Sequence, residues 1–190
     1  MHASKIETVW GWMDCGACGA DFNMAMDEAL LEWAPRIGQP VLRFYGWIEP
    51  AATFGYSQRC ADIERIMPLR PLIRRPTGGG LVPHDADWTY SLAFAPQTPW
   101  YALKAVESYR RVHEWVRDAF GLLGIQTALA PEPIKEAPGQ CFAGAERSDV
   151  LWRGRKIAGA ALLTRLPISP RDEFIGSASI PRRLAAASTH

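Results

Sequence analysis

Between Tyr101 and Leu123 the apolar residues Ala102, Ala105, Val106, Tyr109, Val112, Val116, Ala119 and Phe120 recur three and four apart. Glu107, Arg110, Arg111, Glu114, Arg117 and Asp118 fill the other side. Such a stripe is one face of an α-helix, and a helix that is apolar on one side only must cover something. The runs around it say what. Val41–Trp47, Ala51–Tyr56, Leu69–Arg75, Trp88–Ala95 and Ile125–Ala130 are short, rich in β-branched and aromatic residues, and punctuated by Gly, Pro and Asp. They read as strands. Asp149–Trp152 and Arg155–Thr164 flank Arg153-Gly154 and read as a hairpin with a tight turn at the glycine. The helix is therefore expected to lie over a sheet.

A second helix is expected where Phe22, Ala25, Met26, Ala29, Leu30 and Trp33 follow the same spacing, capped by Asp21 and ended by Pro35. Ala61–Met67 reads as a short helix, and the residues before Asp21 as irregular. Strands outnumber helices and several neighbours look hairpin-linked. The expected class is α+β, a mixed, mostly antiparallel sheet flanked by helices. With 190 residues and neither repeat nor linker, residues 1–190 read as a single domain. His113 borders the apolar stripe and is expected to be packed and hydrogen-bonded.

Charge narrows the function. The 21 Lys and Arg nearly cancel the 20 Asp and Glu, leaving +1, so the chain has no cationic field for nucleic acid or a membrane surface. No run approaches the roughly 20 apolar residues that span a bilayer, and Met1–Trp12 lacks a basic segment followed by an apolar one. A cytoplasmic protein is expected. Cysteines at 15, 18, 60 and 141 are too sparse for a disulfide framework. Cys15-Gly-Ala-Cys18 is half a zinc site without a second pair, so its thiols read as incidental, Cys60 as structural, and no metal site is expected.

Two segments gather chemistry. In Arg74-Arg75-Pro76-Thr77-Gly78-Gly79-Gly80-Leu81-Val82-Pro83-His84-Asp85, three glycines after a strand let backbone N–H groups approach a ligand. Two arginines enter that loop and a His-Asp leaves it. It is neither a Walker loop nor a Gly-x-Gly-x-x-Gly dinucleotide loop. In Arg153-Gly154-Arg155-Lys156-Ile157-Ala158-Gly159-Ala160-Ala161, Lys156 projects to the strand face opposite Arg155 and Ile157. An ammonium there could hold a carbonyl or phosphate oxygen through a transition state. The small residues after it suit close approach of a ligand or backbone.

These blocks, taken with His84-Asp85-Ala86-Asp87-Trp88-Thr89-Tyr90-Ser91, resemble the lipoate–protein ligase and octanoyltransferase family. Asp21–Ala29 is similar to that family's opening helix and Leu42–Trp47 to its first core strand. The resemblance spans residues 21–180, with its motif blocks in the family's order. It implies the mixed-sheet catalytic domain shared with biotin ligases and class II aminoacyl-tRNA synthetases. It further implies that Arg75, Thr77, Gly78, Gly79 and Gly80 line a slot for an acyl chain and its activated carboxyl end, with His84 beside them. Lys156 would contact the activated acyl group, and Gly159 and Ala160 would flank the ligand. Where the family often has Ser, this chain has Ala160. The implied reaction joins a lipoyl or octanoyl acid to a lysine of a carrier protein domain. No Gly-Arg-Gly-Arg loop of the biotin-ligase kind is present.

A free carboxylate resists an amine, so the acyl group must arrive activated, and the family has two routes. The complete Gly78–Gly80 triplet resembles that of ligases, which form an acyl-adenylate from ATP and Mg²⁺; this is the main expectation. Gln140-Cys141-Phe142, fifteen residues before Lys156, resembles the transferase branch, in which Cys141 would carry the acyl group from an acyl carrier protein and no cofactor is needed. Lys156 or His84 would lower the Cys141 thiol pKa. Chain ends a few residues after Ile175–Ile180 leave no room for an accessory C-terminal domain. A third expectation follows, a non-catalytic lipoate-binding protein or one that needs an accessory subunit.

Overall fold

Strand β6 organises the molecule. The computed structural model describes residues 9–85, 87–134, 144–163 and 174–181. In chain order the elements are β1 (Gly11–Cys18), α1 (Ala20–Ile37), β2 (Val41–Trp47), β3 (Ala51–Phe54), α2 (Cys60–Ile66), β4 (Leu72–Arg74), β5 (Val82–His84), β6 (Asp87–Phe94), α3 (Ala105–Leu122), β7 (Ala128–Leu129), β8 (Val150–Trp152), β9 (Arg155–Leu163) and β10 (Phe174–Pro181). Every residue of β6 except Trp88 is buried, so both faces of its sheet are covered.

Seven strands form that sheet in the order β1-β2-β6-β10-β9-β8-β7. Only β1 and β2 pair parallel; the other neighbours are antiparallel. Side-chain alternation sorts the core into two layers. Tyr90, Leu92 and Phe94 meet Val112 of α3, joined by Leu42, Phe44, Val116 and Ala160. On the opposite face Ala93 and Val41 meet Leu30, Leu31 and Ala34 of α1. A smaller sheet, β4-β3-β5, packs with α2 through Ala52, Phe54, Ile63 and Leu81.

The α+β class stands as expected, and several boundaries do not. β1 replaces the irregular start; its Gly, Asp and Cys residues have little strand propensity, and pairing with β2 supplies what propensity lacks. Helix α1 begins after Gly19, with Asp21 in its first turn rather than at the cap. It also runs through Pro35 to a left-handed Gly38 (φ 72°), which ends it. Helix α3 starts at Ala105, and Val106 is 73% exposed instead of part of the buried stripe. The hairpin between β8 and β9 turns on Arg153 and Gly154, both with positive φ (51° and 76°), as a two-residue turn requires. No helix among the described residues is long and apolar enough to cross a membrane.

Candidate active site

The glycine loop leaves β4 and folds back against β3. Tyr56 N–H donates to the Thr77 carbonyl (3.0 Å), and Arg75 N–H to that of Phe54 (3.0 Å). A Cβ on Gly55 would overlap the Gly79 carbonyl oxygen and lie 3.0 Å from its carbon, so two backbones touch here. Gly79 has φ +86°, the left-handed region that favours glycine, and a Cβ on Gly78 would face open space. Arg75, buried at 4% exposure, donates through Nη2 to the carbonyls of Gly78 (3.1 Å) and Gly80 (2.5 Å) and through Nη1 to Thr53 Oγ1 (3.1 Å). It shapes the loop from inside.

His84 joins the same network. Its Nε2 lies 2.9 Å from Thr53 Oγ1 and its Nδ1 2.9 Å from Asp87 Oδ2, while the ring stacks on Trp47 with centroids 3.9 Å apart. Asp87 Oδ2 also accepts from Thr89 Oγ1 (3.0 Å), which accepts from Trp47 Nε1 (3.0 Å). Asp87 Oδ1 and Thr77 Oγ1 are buried with no hydrogen-bond partner. These two atoms can serve a polar ligand group at low desolvation cost.

Lys156 anchors a second group. Its Nζ lies 2.8 Å from Asp149 Oδ2, and Asp149 is wholly buried. The Tyr109 hydroxyl donates to Asp149 Oδ1, and Glu146 N–H donates to Oδ2 (2.6 Å). A register shift between β8 and β9 sets Val150 opposite Ala158 and Leu151 opposite Lys156, leaving Ile157 as a bulge. The bulge turns both Ile157 and Ala158 toward Phe120 of α3. Lys156 thereby shares a face with Gly159, where a Cβ would lie 2.6 Å from Nζ and 3.0 Å from Asp149 Oδ1. Gly159 is glycine because the lysine crosses it. Pairing with β8 ends at Ala158, and the Ala160 N–H donates instead to the Tyr109 hydroxyl (3.2 Å). Burial, then the Asp149 charge, raises the Tyr109 pKa, which keeps its proton available to the carboxylate.

Thus Arg75, Thr77, Gly78, Gly79, Gly80 and His84 come together in one group, and Lys156, Gly159 and Ala160 in another. Thr89, which hydrogen-bonds Asp87 beside His84, and Gly159 are both in register with Ser179 of β10, so these two residues stand two strand spacings apart, about 10 Å. Ala160 directs its methyl into the core beneath α3 and takes part through its backbone. Cys141 lies outside the described residues. Sequence reasoning passed over Thr53, Asp87, Asp149 and Tyr109. Counting back through the hairpin from Lys156 points to Asp149, and the His84-x-x-Asp87 spacing points to Asp87; Tyr109, forty residues from Asp149 on a helix, left no such signal.

His113 is packed as expected, edge-on to Tyr109 with centroids 4.2 Å apart, but it is not hydrogen-bonded. Burial pushes its pKa down to about 4, against the pull of Asp149; Lys156 adds to the lowering, and the Tyr109 carbonyl opposes it without hydrogen-bond geometry. Beneath α1, Asp27 accepts from Arg43 (2.7 Å), Ser91 (2.6 Å) and Tyr45 (2.7 Å), and Arg43 Nε donates to Cys15 Sγ (3.3 Å). That network ties α1 to β2 and β6. Among the described residues no three His, Cys, Asp or Glu side chains converge as a metal site.

Residues 20–165 match the family model described as lipoyl protein ligase A/B catalytic domain. The chain is 35% identical over 167 residues to octanoyltransferase LipM of Anoxybacillus flavithermus, covering 80% of this chain and 60% of that protein. It is 34% identical over 165 residues to octanoyltransferase LipM of Bacillus subtilis, covering 80% and 59%. The chain therefore spans about 60% of the length of these relatives. Among solved structures, T. acidophilum Ta0514 with bound lipoic acid superposes with a TM-score of 0.63 at 22% identity, over 90% of this chain and 67% of that one. P. falciparum LipL1 in complex with lipoate gives 0.60 at 14%, over 91% and 48%. At these identities the two structures establish the fold, that of the lipoate ligase catalytic domain.

Proposed function

The chain belongs to the lipoyl protein ligase A/B catalytic-domain family, and from that premise we propose that it moves an octanoyl group from a thioester donor, an acyl carrier protein, to a lysine ε-amine on a lipoyl carrier domain. The observation that carries this reading is the match over four-fifths of the chain to proteins named octanoyltransferase. In the proposed reaction the Cys141 thiol gives up its proton and attacks the donor carbonyl as the thiolate, the carbon–sulfur bond to the carrier breaks, and that proton is returned to the departing carrier thiolate. The neutral acceptor amine then attacks the Cys141 thioester. A carbon–nitrogen bond forms, the carbon–sulfur bond breaks, and the amine proton passes to the departing thiolate. Lys156, held against Asp149 across Gly159, is the cation assigned to the oxyanion of both tetrahedral intermediates. The loop of Gly78, Gly79 and Gly80 is assigned to the acyl chain.

One observation favours a second reading. The complete glycine triplet resembles the loop of ATP-dependent lipoate ligases, for which ATP and Mg²⁺ would be required. The relatives' names weigh toward the transferase. Incubation with an apo carrier domain and either octanoyl acyl carrier protein or lipoate with ATP and Mg²⁺, read by intact mass, decides between them. Transfer from the thioester donor that is lost in Cys141→Ala is the expected result. Transfer from lipoate and ATP alone would overturn it in favour of the ligase, and binding of lipoate with no transfer from either donor would point to an accessory protein.

A further inference from the structure

One arrangement of protons satisfies every group that faces His84. Trp47 Nε1 can only donate, so Thr89 Oγ1 accepts there and spends its own proton on Asp87 Oδ2. Asp87 Oδ2 is then an acceptor, and the His84 Nδ1 that faces it carries the ring proton. At the other end Arg75 Nη1 can only donate, so Thr53 Oγ1 accepts from it, and in this arrangement the Thr53 proton is directed to His84 Nε2. Every donor points one way, from Arg75 through Thr53 and His84 to Asp87, with Trp47 and Thr89 closing from the far side. The chain is buried throughout: Thr53 is 2% exposed, His84 4% and Asp87 8%. The second arm of Arg75 holds the Gly78 and Gly80 carbonyls.

From this geometry we infer that His84 is a positioning residue: as the neutral Nδ1–H tautomer it orients Thr53 so that Arg75 holds the glycine loop in its open-faced form. Both ring nitrogens are engaged within the protein, so His84 acts on substrate through Arg75 and the loop. This rests on the assignment of that loop to the acyl chain, but its structural half does not. Gln at 84 can accept from Thr53 through its side-chain oxygen, whereas the shorter Asn can reach only toward Asp87.

The test uses the full chain with hydrogen exchange at the amides of residues 77–81 and of β6, without substrate. Thr53→Val and His84→Asn should each speed exchange in 77–81 about tenfold, leaving β6 unchanged, as loss of one hydrogen bond to a charged chain predicts. The double variant should add nothing further, and Thr53→Ser and His84→Gln should stay within about twofold of the parent. In the transfer assay Thr53→Val should raise KM for the octanoyl donor about tenfold with little change in kcat. Unchanged exchange in 77–81, additive effects, or exchange raised equally in β6 would overturn the inference. Nitrogen NMR of the unmodified protein supplies a check independent of any variant: an Nε2–H tautomer at His84 also overturns it. Loss of all transfer with the exchange pattern intact would count against the acyl-transfer reading alone.

Discussion

Acid titration of the fold isolates one buried ring. His113 is wholly buried on α3 with neither nitrogen hydrogen-bonded, and its pKa lies at about 4 against an ordinary 6.5. Above pH 6.5 the ring is neutral in both folded and unfolded chains and has no effect on stability. As the pH falls below 6.5 the unfolded chain takes up a proton that the folded chain refuses, so the native state loses ground until about pH 4. At 1.36 kcal/mol per unit the loss sums to about 3 kcal/mol. His113→Phe keeps a flat ring against Tyr109 and removes two unpartnered nitrogens, a change that is near neutral at pH 7. Urea unfolding by tryptophan fluorescence, stepped from pH 7 to pH 4, should show the variant gaining about 3 kcal/mol on the parent across that interval. Carboxylates titrating in the same range are common to both proteins and cancel in the difference. Parallel profiles would refute the reasoning, and so would a variant already destabilised by several kcal/mol at pH 7, since that would reveal a partner for the ring.

Three further outcomes follow from contacts at the two groups and beneath α1. Gly159→Ala places a methyl within 2.6 Å of the Lys156 ammonium and 3.0 Å of Asp149 Oδ1; eviction of the lysine from a buried carboxylate should cost about 3–5 kcal/mol in denaturant unfolding and lower acyl transfer about 100-fold. Gly55→Ala pushes on the Gly79 backbone, which has no side-chain freedom with which to yield, and should raise KM for the octanoyl donor about tenfold while costing about 1–3 kcal/mol of stability. Asp27→Asn removes the charge that balances a fully buried Arg43 and should destabilise the fold by about 3–5 kcal/mol, measured by thermal unfolding.

What could be read in advance was whatever depends on near neighbours in the chain. The apolar spacing of α3 and α1, the β-branched and aromatic runs of β2 and β6, and the glycine that turns the β8–β9 hairpin are local signals, and each element formed. Their ends were less legible. Pro35 sits in the last turn of α1, where few downstream hydrogen bonds remain to be broken, so the helix passes through it. Val106 follows the three-and-four spacing, yet the face that α3 buries is that of Ser108, Val112, His113 and Phe120, and Val106 lies off it, 73% exposed.

The residues that could carry acyl chemistry were visible as types in ordered blocks, because a glycine loop and a lysine in a small-residue strand advertise themselves in one dimension. Which of their neighbours support them was decided only in three dimensions. Gly159 comes to the face of Lys156 because a bulge changes the parity of β9, and Tyr109 reaches both Asp149 and Ala160 because the sheet parts where β8 stops pairing. Thr53 reaches His84 only because β3 and β5 pair antiparallel in one register. β1 itself is a strand by virtue of β2. Side-chain period and turn chemistry are properties of a few consecutive residues, so the sequence alone determined most of the elements, β1 excepted, and the reactive residue types. Register, bulge and burial depend on chain segments tens of residues apart, so only the tertiary structure decided which side chains hold Lys156 and the glycine loop in place.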